Sequence, residues 1–209
     1  MANIRLYIVR HGETEANKAG LLQGISPGKL TPFGIEQVKK LALRLQDEKI
    51  DVILSSDLER NKQTLVEITK YHDLPVRYLP LIREWNVGEF DLRKKEEFRE
   101  ARAKSGLSKA AFRPKNGENF YDMVERANVF LTLVKSEYKG KHVLVVTHGD
   151  FIRSLISVLL NKPVEDAPNI PQDNAALNIF DISPDGVKTV AMNSTEHLGK
   201  LSNKTGFQL

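Results

Sequence analysis

The chain contains no cysteine among its 209 residues. That excludes disulfides, thiolate metal sites and a cysteine nucleophile, and it fits a reducing, cytoplasmic compartment. No apolar run approaches the length of a membrane span. The first apolar run reads as a core strand, not as the long apolar segment of a secretory signal. Aromatics make up only 7% of residues, and no aromatic stripe, zinc finger or helix-turn-helix pattern points to nucleic acid. Neither Gly-x-x-x-x-Gly-Lys-Ser/Thr nor Gly-x-Gly-x-x-Gly occurs, which removes the ordinary ATPase and dinucleotide readings. His-x-His and His-Glu-x-x-His are also missing.

What is present is enough for one domain with a sizeable core, spanning 1–209. Hydrophobic residues contribute 41% and charged residues 28%, an ordinary globular balance. The net charge of +4 is unevenly placed. Between Arg93 and Glu118 there are 9 basic and 4 acidic residues, against 22 and 23 in the rest of the chain. Without a nucleic-acid signature, a positive rim that draws anionic small molecules is a natural reading of that segment.

Two stretches organise the chain. Ile4-Arg5-Leu6-Tyr7-Ile8-Val9 ends in Arg10-His11-Gly12, and Val143-Leu144-Val145-Val146 ends in Thr147-His148-Gly149. Each has the form of a buried parallel strand whose C-terminal tip carries chemistry. Between them, Thr31-Pro32 opens a helix through Gln46, with Thr31 as N-cap. Residues 50–54 form a strand, and a helix follows from about Leu58, capped by Ser or Asp. A short strand at 76–79 leads to Glu84 and Trp85. A long helix over 121–137 precedes the second reactive strand, 142–147. An apolar helix from Phe151 to Leu160 comes next, then strands at 175–182 and 187–192. The expected fold is an α/β three-layer sandwich: a mostly parallel central sheet, helices on both faces and a small partial lid. Residues 86–120 break the alternation. They form either that lid or a solvated helix pair, and Gly106, Pro114 and Gly117 suggest loose packing.

Two arginines and two imidazoles at strand tips would make an anion pocket, because the guanidinium fork matches phosphate oxygens. Adjacent arginines disfavour a bound cation, so no metal and no cofactor is expected. An unprotonated imidazole nitrogen can attack phosphorus if the other nitrogen is held by a hydrogen bond. Glu84, beside apolar Ile82 and Trp85, is the candidate to protonate a leaving alkoxide, its pKa raised by burial. Arg83 would oppose this if it pointed inward. Asn17 and Gln23 are candidate donors to phosphate or substrate, and Gly12, Gly24 and Gly149 would let backbone approach a ligand. His72 reads as a surface residue, His142 as a cap on its strand, and His197 as structural or supporting.

These residues are recognisable together. Arg10-His11-Gly12-Glu13-Thr14, Asn17, Gln23-Gly24, Leu30-Thr31-Pro32-Phe33-Gly34, Ser55 to Arg60, Glu84 with Gly88, Asn116-Gly117-Glu118, and Thr147-His148-Gly149 with Ile152-Arg153 resemble the histidine phosphatase superfamily in its phosphoglycerate mutase-like branch. The resemblance runs from Leu6 to about Leu198. It implies that His11 is the phosphorylated nucleophile and that Arg10, Arg60 and His148 form the phosphate pocket. It also implies that Glu84 is the proton donor and that Asn17 is a further contact. Gln23, Gly24 and Gly149 complete the expected substrate-binding set. Residues 91–92 lack the family's acidic-Gly pair, and Ser26 stands where many relatives carry aspartate. The arginine motif looks like that of fructose-2,6-bisphosphatase-like and broad-specificity phosphatases. The expected activity is hydrolysis of small phosphorylated metabolites, with neither a membrane nor a nucleic-acid partner, by a monomer or homodimer. A cofactor-dependent phosphoglycerate mutase is the alternative. A protein phosphatase and a non-catalytic interaction domain are weaker readings.

Overall fold

The computed structural model describes residues 3–202. One six-stranded sheet is built from β1 (Ile4–Arg10), β2 (Val52–Ser55), β3 (Val76–Tyr78), β4 (His142–Thr147), β5 (Leu177–Ser183) and β6 (Gly186–Ser194), in the order β3-β2-β4-β1-β5-β6. The first four strands are parallel, whereas β5 runs antiparallel to β1 and β6 antiparallel to β5. The α/β sandwich with a mostly parallel sheet is therefore the observed architecture.

Alternation along β1 divides the core in two. Leu6 and Ile8 join one buried cluster with Phe130, Phe151 and Leu155. These come from α5 (Phe120–Glu137) and α6 (Gly149–Leu159). Tyr7 and Val9 join the other with Val38, Leu41 and Leu65. Those come from α2 (Pro32–Leu45) and α3 (Glu59–Ile68). Both faces of the sheet are covered, which is why its strands read as nearly continuous apolar runs. None of the described helices is long and apolar enough to cross a membrane.

Local signals placed most element ends within one or two residues. Thr31 caps α2 by accepting from the Gly34 amide at 2.9 Å, with Pro32 opening the helix. The cap expected on α3 is different. Leu58 occupies that position without a side-chain bond. Asp57 instead pairs with Arg83, and Ser56 Oγ lies 2.8 Å from His148 Nε2. His72 is buried, not a surface residue, and its Nε2 lies 3.0 Å from the Leu45 carbonyl at the end of α2. His142 is itself the first residue of β4, its amide donating to Asp51 at 2.8 Å.

Residues 86–120 contain a single α-helix, α4 (Lys95–Ser105). The loose packing expected there is not found. Phe98 on α4 meets Trp85, Phe90 and Phe112 with ring centroids 5.2, 5.5 and 5.3 Å apart. The Leu22 amide donates to Arg93 and the Leu92 amide to Leu22, stitching the segment to the loop after β1. That loop begins with the short helix α1 (Glu15–Lys18), capped by Thr14.

Candidate active site

The parallel register of β1 and β4 sets Arg10 opposite Thr147. One residue further on, His11 and His148 leave adjacent strand tips, and their rings lie 5.3 Å apart. The first turn of α3 brings Arg60 between them. Its Nε donates to His11 Nε2 at 3.2 Å and to His148 Nδ1 at 3.1 Å. Its two Nη groups do not form the phosphate fork expected from the sequence. They donate to the carbonyls of Ser26 and Gly24 at 3.1 and 2.8 Å. Gly24 thus anchors Arg60 from the rear and does not line the cavity beside His11.

These contacts fix the tautomers. His11 Nδ1 lies 2.8 Å from the Gly12 carbonyl, an oxygen that can only accept. Nδ1 therefore carries the proton, and Nε2 presents a lone pair. His148 accepts at Nδ1 and donates from Nε2 to the Ser56 hydroxyl. Burial, reinforced by Arg60, holds both imidazoles well below their usual pKa. Burial also lowers Arg60, to about 10.

A cavity opens beside His11, lined by Arg10, Asn17, Gln23, Glu84 and Gly149 among others. Arg10 reaches it from the other side of His11. Its Nη1 donates to the Gln172 carbonyl at 2.6 Å, while its buried Nε has no protein partner. An unpaired guanidinium N–H in a buried cleft is a ready donor to an oxyanion. Gly149 leaves room here, because a Cβ would sit 3.2 Å from that nitrogen. Asn17 Oδ1 accepts from the Thr14 amide and from Asn174. Gln23 Oε1 accepts from the Thr14 hydroxyl, and its buried Nε2 is unpaired.

Glu84 is buried at the start of α6. Its Oε1 accepts from the amides of Trp85, Asp150 and Phe151 at 3.0, 3.0 and 3.3 Å. Those bonds and the helix terminus favour the anion, yet burial and then repulsion from Asp150 prevail and raise the pKa. Arg83 points away, engaged with Asp57. Asp150 also lines the cavity. Its pKa is lowered despite burial, chiefly by Arg153, which it meets at 2.7 Å. Among the described residues, no group of three or more His, Asp or Glu side chains is placed to hold a metal ion.

Of the lining residues, Asp150 carried no functional reading in the sequence, whereas the basic ones at 95–109 belong to the segment read as a positive rim for anions. Asp150 follows His148-Gly149 directly, a signal that was available. Lys95, Arg99 and Arg102 enter from α4, and Lys109 from the loop after it. Their helical spacing was visible, but the side of the helix that faces the site was not. His197 supports the site indirectly: it bonds the Ala175 carbonyl at 3.0 Å, while the Ala175 amide donates to the His11 carbonyl at 3.1 Å.

The description "Histidine phosphatase superfamily (branch 1)" matches residues 6–195. The chain belongs to this superfamily. It is 30% identical over 185 residues to the "Adenosylcobalamin/alpha-ribazole phosphatase" of Escherichia coli (strain K12), covering 86% of this chain and 91% of that protein. It is 32% identical over 185 residues to the "Probable phosphoglycerate mutase GpmB" of Yersinia pestis (strain Pestoides F), covering 85% of each. Among solved structures, the phosphoserine phosphatase of Entamoeba histolytica in complex with 3-phosphoglyceric acid superposes with a TM-score of 0.82. The identity there is 28%, over 93% of this chain and 99% of the other. This member of the superfamily is a phosphatase of the histidine-phosphatase type that acts on small phosphorylated metabolites.

Proposed function

We propose that the protein hydrolyses phosphomonoesters without a metal, through a phosphohistidine at His11. The observation that carries this reading is the His11 ring itself: Nδ1–H is spent on the Gly12 carbonyl, so Nε2 holds the lone pair, which accepts from Arg60 Nε at 3.2 Å until a phosphoryl group takes that place. In the first step Nε2 attacks phosphorus, the P–N bond forms, and the bond from phosphorus to the ester oxygen breaks. Glu84 gives its proton to the departing alkoxide. Three amides occupy Oε1, so the proton is carried on Oε2. In the second step the Glu84 carboxylate takes a proton from water, the water oxygen bonds to phosphorus, and the P–N bond breaks to release inorganic phosphate. Arg10 Nε and the Arg60 charge stabilise the phosphoryl oxygens, and His148 joins them once its Nε2–H leaves the Ser56 hydroxyl. Asn17 and Gln23 contact substrate, Gly149 lets Arg10 approach, and Gly24 acts through Arg60.

Water is assigned as acceptor on the phosphatase name of the Escherichia coli relative and the short 86–120 segment. The tight aromatic packing of that segment removes looseness as an argument for hydrolysis. Phosphoglycerate mutase remains the second reading, favoured by the Yersinia relative. Small phosphorylated metabolites suit a cytoplasmic location, and the protein acts on them as a monomer or homodimer in one domain.

Quenched turnover with labelled substrate is expected to leave acid-labile, base-stable phosphate on His11, and His11→Ala is expected to abolish both label and turnover. Supplying 3-phosphoglycerate with a trace of 2,3-bisphosphoglycerate separates the two readings. Free phosphate should exceed 2-phosphoglycerate, and mutase turnover far above phosphate release would reverse the assignment.

A further inference from the structure

Glu84 sits on chain that has no regular structure of its own. Residues 83–87 lie between two short 3-10 turns, Pro80–Ile82 and Gly88–Phe90. No helix or sheet ladder fixes the backbone there, so its polar groups must find side-chain partners. Two of the amides on Glu84 Oε1 come from α6. They hold the carboxyl, not the chain that carries it.

Arg126, on α5, meets that chain directly. Its Nη1 donates to the carbonyls of Leu81 and Arg83 at 2.8 and 3.1 Å, and its Nη2 to the carbonyl of Glu84 itself at 3.4 Å. The other side of the guanidinium grips Glu118. Nε and Nη2 donate to the two carboxylate oxygens at 2.7 and 3.0 Å. Glu118 in turn holds the chain just beyond Glu84. Its Oε2 accepts from the Asn86 amide at 3.0 Å, and its carbonyl accepts from Trp85 Nε1 at 2.7 Å. Its own amide donates to the Asn86 carbonyl at 2.8 Å.

The two side chains of this ion pair are only 21% and 23% exposed. Their contact is bidentate, the geometry that sets direction as well as distance. The Arg126 guanidinium also lies 5.5 Å from the centre of the Phe151 ring, in reach of a cation–π contact. The Phe151 amide is one of the three that hold Glu84 Oε1. Arg126 therefore touches both α6 and the 81–86 chain, whose spacing sets where Glu84 Oε2 points. Neither Arg126 nor Glu118 lines the cavity beside His11.

We propose that Arg126 and Glu118 are a positioning pair for Glu84, fixing the backbone around it so that its free oxygen meets the departing ester oxygen. This rests on the reading of Glu84 as proton donor. Such a donor works within hydrogen-bond reach of the atom it serves, and a displacement of about 1 Å can lower a rate 10²-fold. A loosened 81–86 chain would weaken protonation of a poor leaving group. Attack by His11 and phosphate capture by Arg10 would stay in place.

Leaving-group dependence tests the pair. The measured quantity is kcat/KM for p-nitrophenyl phosphate divided by kcat/KM for glycerol 3-phosphate, which reports the steps through departure of the ester oxygen. Glu118→Gln preserves volume, but its carboxamide nitrogen must face another donor, from Arg126 or from the Asn86 amide. Arg126→Gln removes the fork. Both are expected to raise the ratio by about 10- to 100-fold, toward the value for Glu84→Gln. Arg126→Lys keeps the charge without the fork, and its ratio should fall between those of wild type and Arg126→Gln. Glu84→Gln/Arg126→Gln should match Glu84→Gln, because residues acting through one group are not additive. Melting temperatures show which variants are folded, and if Arg126→Gln does not fold, the ratio in Glu118→Gln decides. Equal losses on the two esters in folded variants, while Glu84→Gln remains selective, overturn the positioning role and leave the proton donor intact. A further rise of the ratio in the double variant overturns it as well. Equal losses in Glu84→Gln itself would instead remove the proton donor and the role of the pair with it.

Discussion

At the scale of single residues, burial shifts the titration of the groups that line the site. Glu84 is the clearest case, because burial raises its pKa against three amide donors. An acid that protonates a leaving group matters most when that group is a poor one. Glu84→Gln is therefore expected to slow an alkyl phosphate by roughly 10²- to 10⁴-fold, the range of general acid catalysis. p-Nitrophenyl phosphate, whose phenolate leaves unaided, should lose much less. Equal losses on both substrates would count against the assignment. The two histidines give a stability signature. Their folded pKa values lie well below the ordinary imidazole value of 6.5. The unfolded chain therefore binds protons that the folded one does not as pH falls below about 6.5. The stability they contribute is present above that pH and is lost below it. Each contributes a slope of up to about 1.4 kcal/mol per pH unit. Glu84, raised from 4.5, acts in the opposite sense, since its contribution is lost as pH rises through its folded pKa. Denaturant melts at pH 7.5 and 5.5 should show the wild type losing more stability on acidification than His148→Asn. Indistinguishable losses would show that the imidazoles are not held neutral.

At the scale of elements, the sequence marked the strands and most helices because their signals are local: alternation, a proline at a helix start, a threonine cap. It suggested loose packing over 86–120 for a reason that is also local. Gly88 and Gly106 have φ of +54° and +68°. The first is closely approached by the Lys115 carbonyl, and the second caps α4. Glycine there meets a backbone requirement, and the segment's order comes from distant aromatic contacts that no local pattern displays. The loop before β5 shows the same limit. Asn178 donates to the Ile8 carbonyl at 3.2 Å and exchanges hydrogen bonds with the Gln172 side chain at 3.0 and 3.1 Å. The Gln172 carbonyl in turn accepts from Arg10. This amide pair braces the cavity-lining Arg10 from behind. Asn178→Ala would strand buried polar groups, at a cost of about 1–3 kcal/mol each. It should also raise KM, because Arg10 loses its fixed carbonyl partner. Denaturation and steady-state kinetics on the same preparation would decide. Lost stability with unaltered KM would reduce the pair to a purely structural role.

At the scale of the whole molecule, topology converts two separated His-Gly pairs into one site. Parallel pairing of β1 with β4 was legible because both runs are apolar and end alike. The direction in which α4 faces was not, since several phases of a highly charged helix look equally plausible in sequence. Once that phase is known, the charge distribution acquires a consequence. Four of the nine basic residues between Arg93 and Glu118 line the cavity, on a chain whose remainder is almost neutral. A positive funnel of this kind raises the encounter rate of anionic substrates. Its reach contracts with salt, from a Debye length of about 10 Å at 0.1 M to about 3 Å at 1 M. For 3-phosphoglycerate, kcat/KM should therefore fall steadily as ionic strength rises, while kcat at saturation changes less, because bound substrate is shielded by the cavity walls. Lys95→Gln/Arg102→Gln should flatten the dependence of log kcat/KM on ionic strength. Choline chloride and sodium chloride should act alike if screening is the cause, whereas a difference between them would indicate specific ion binding. An identical slope in wild type and double variant would show that capture is governed by Arg10 and the phosphate end alone.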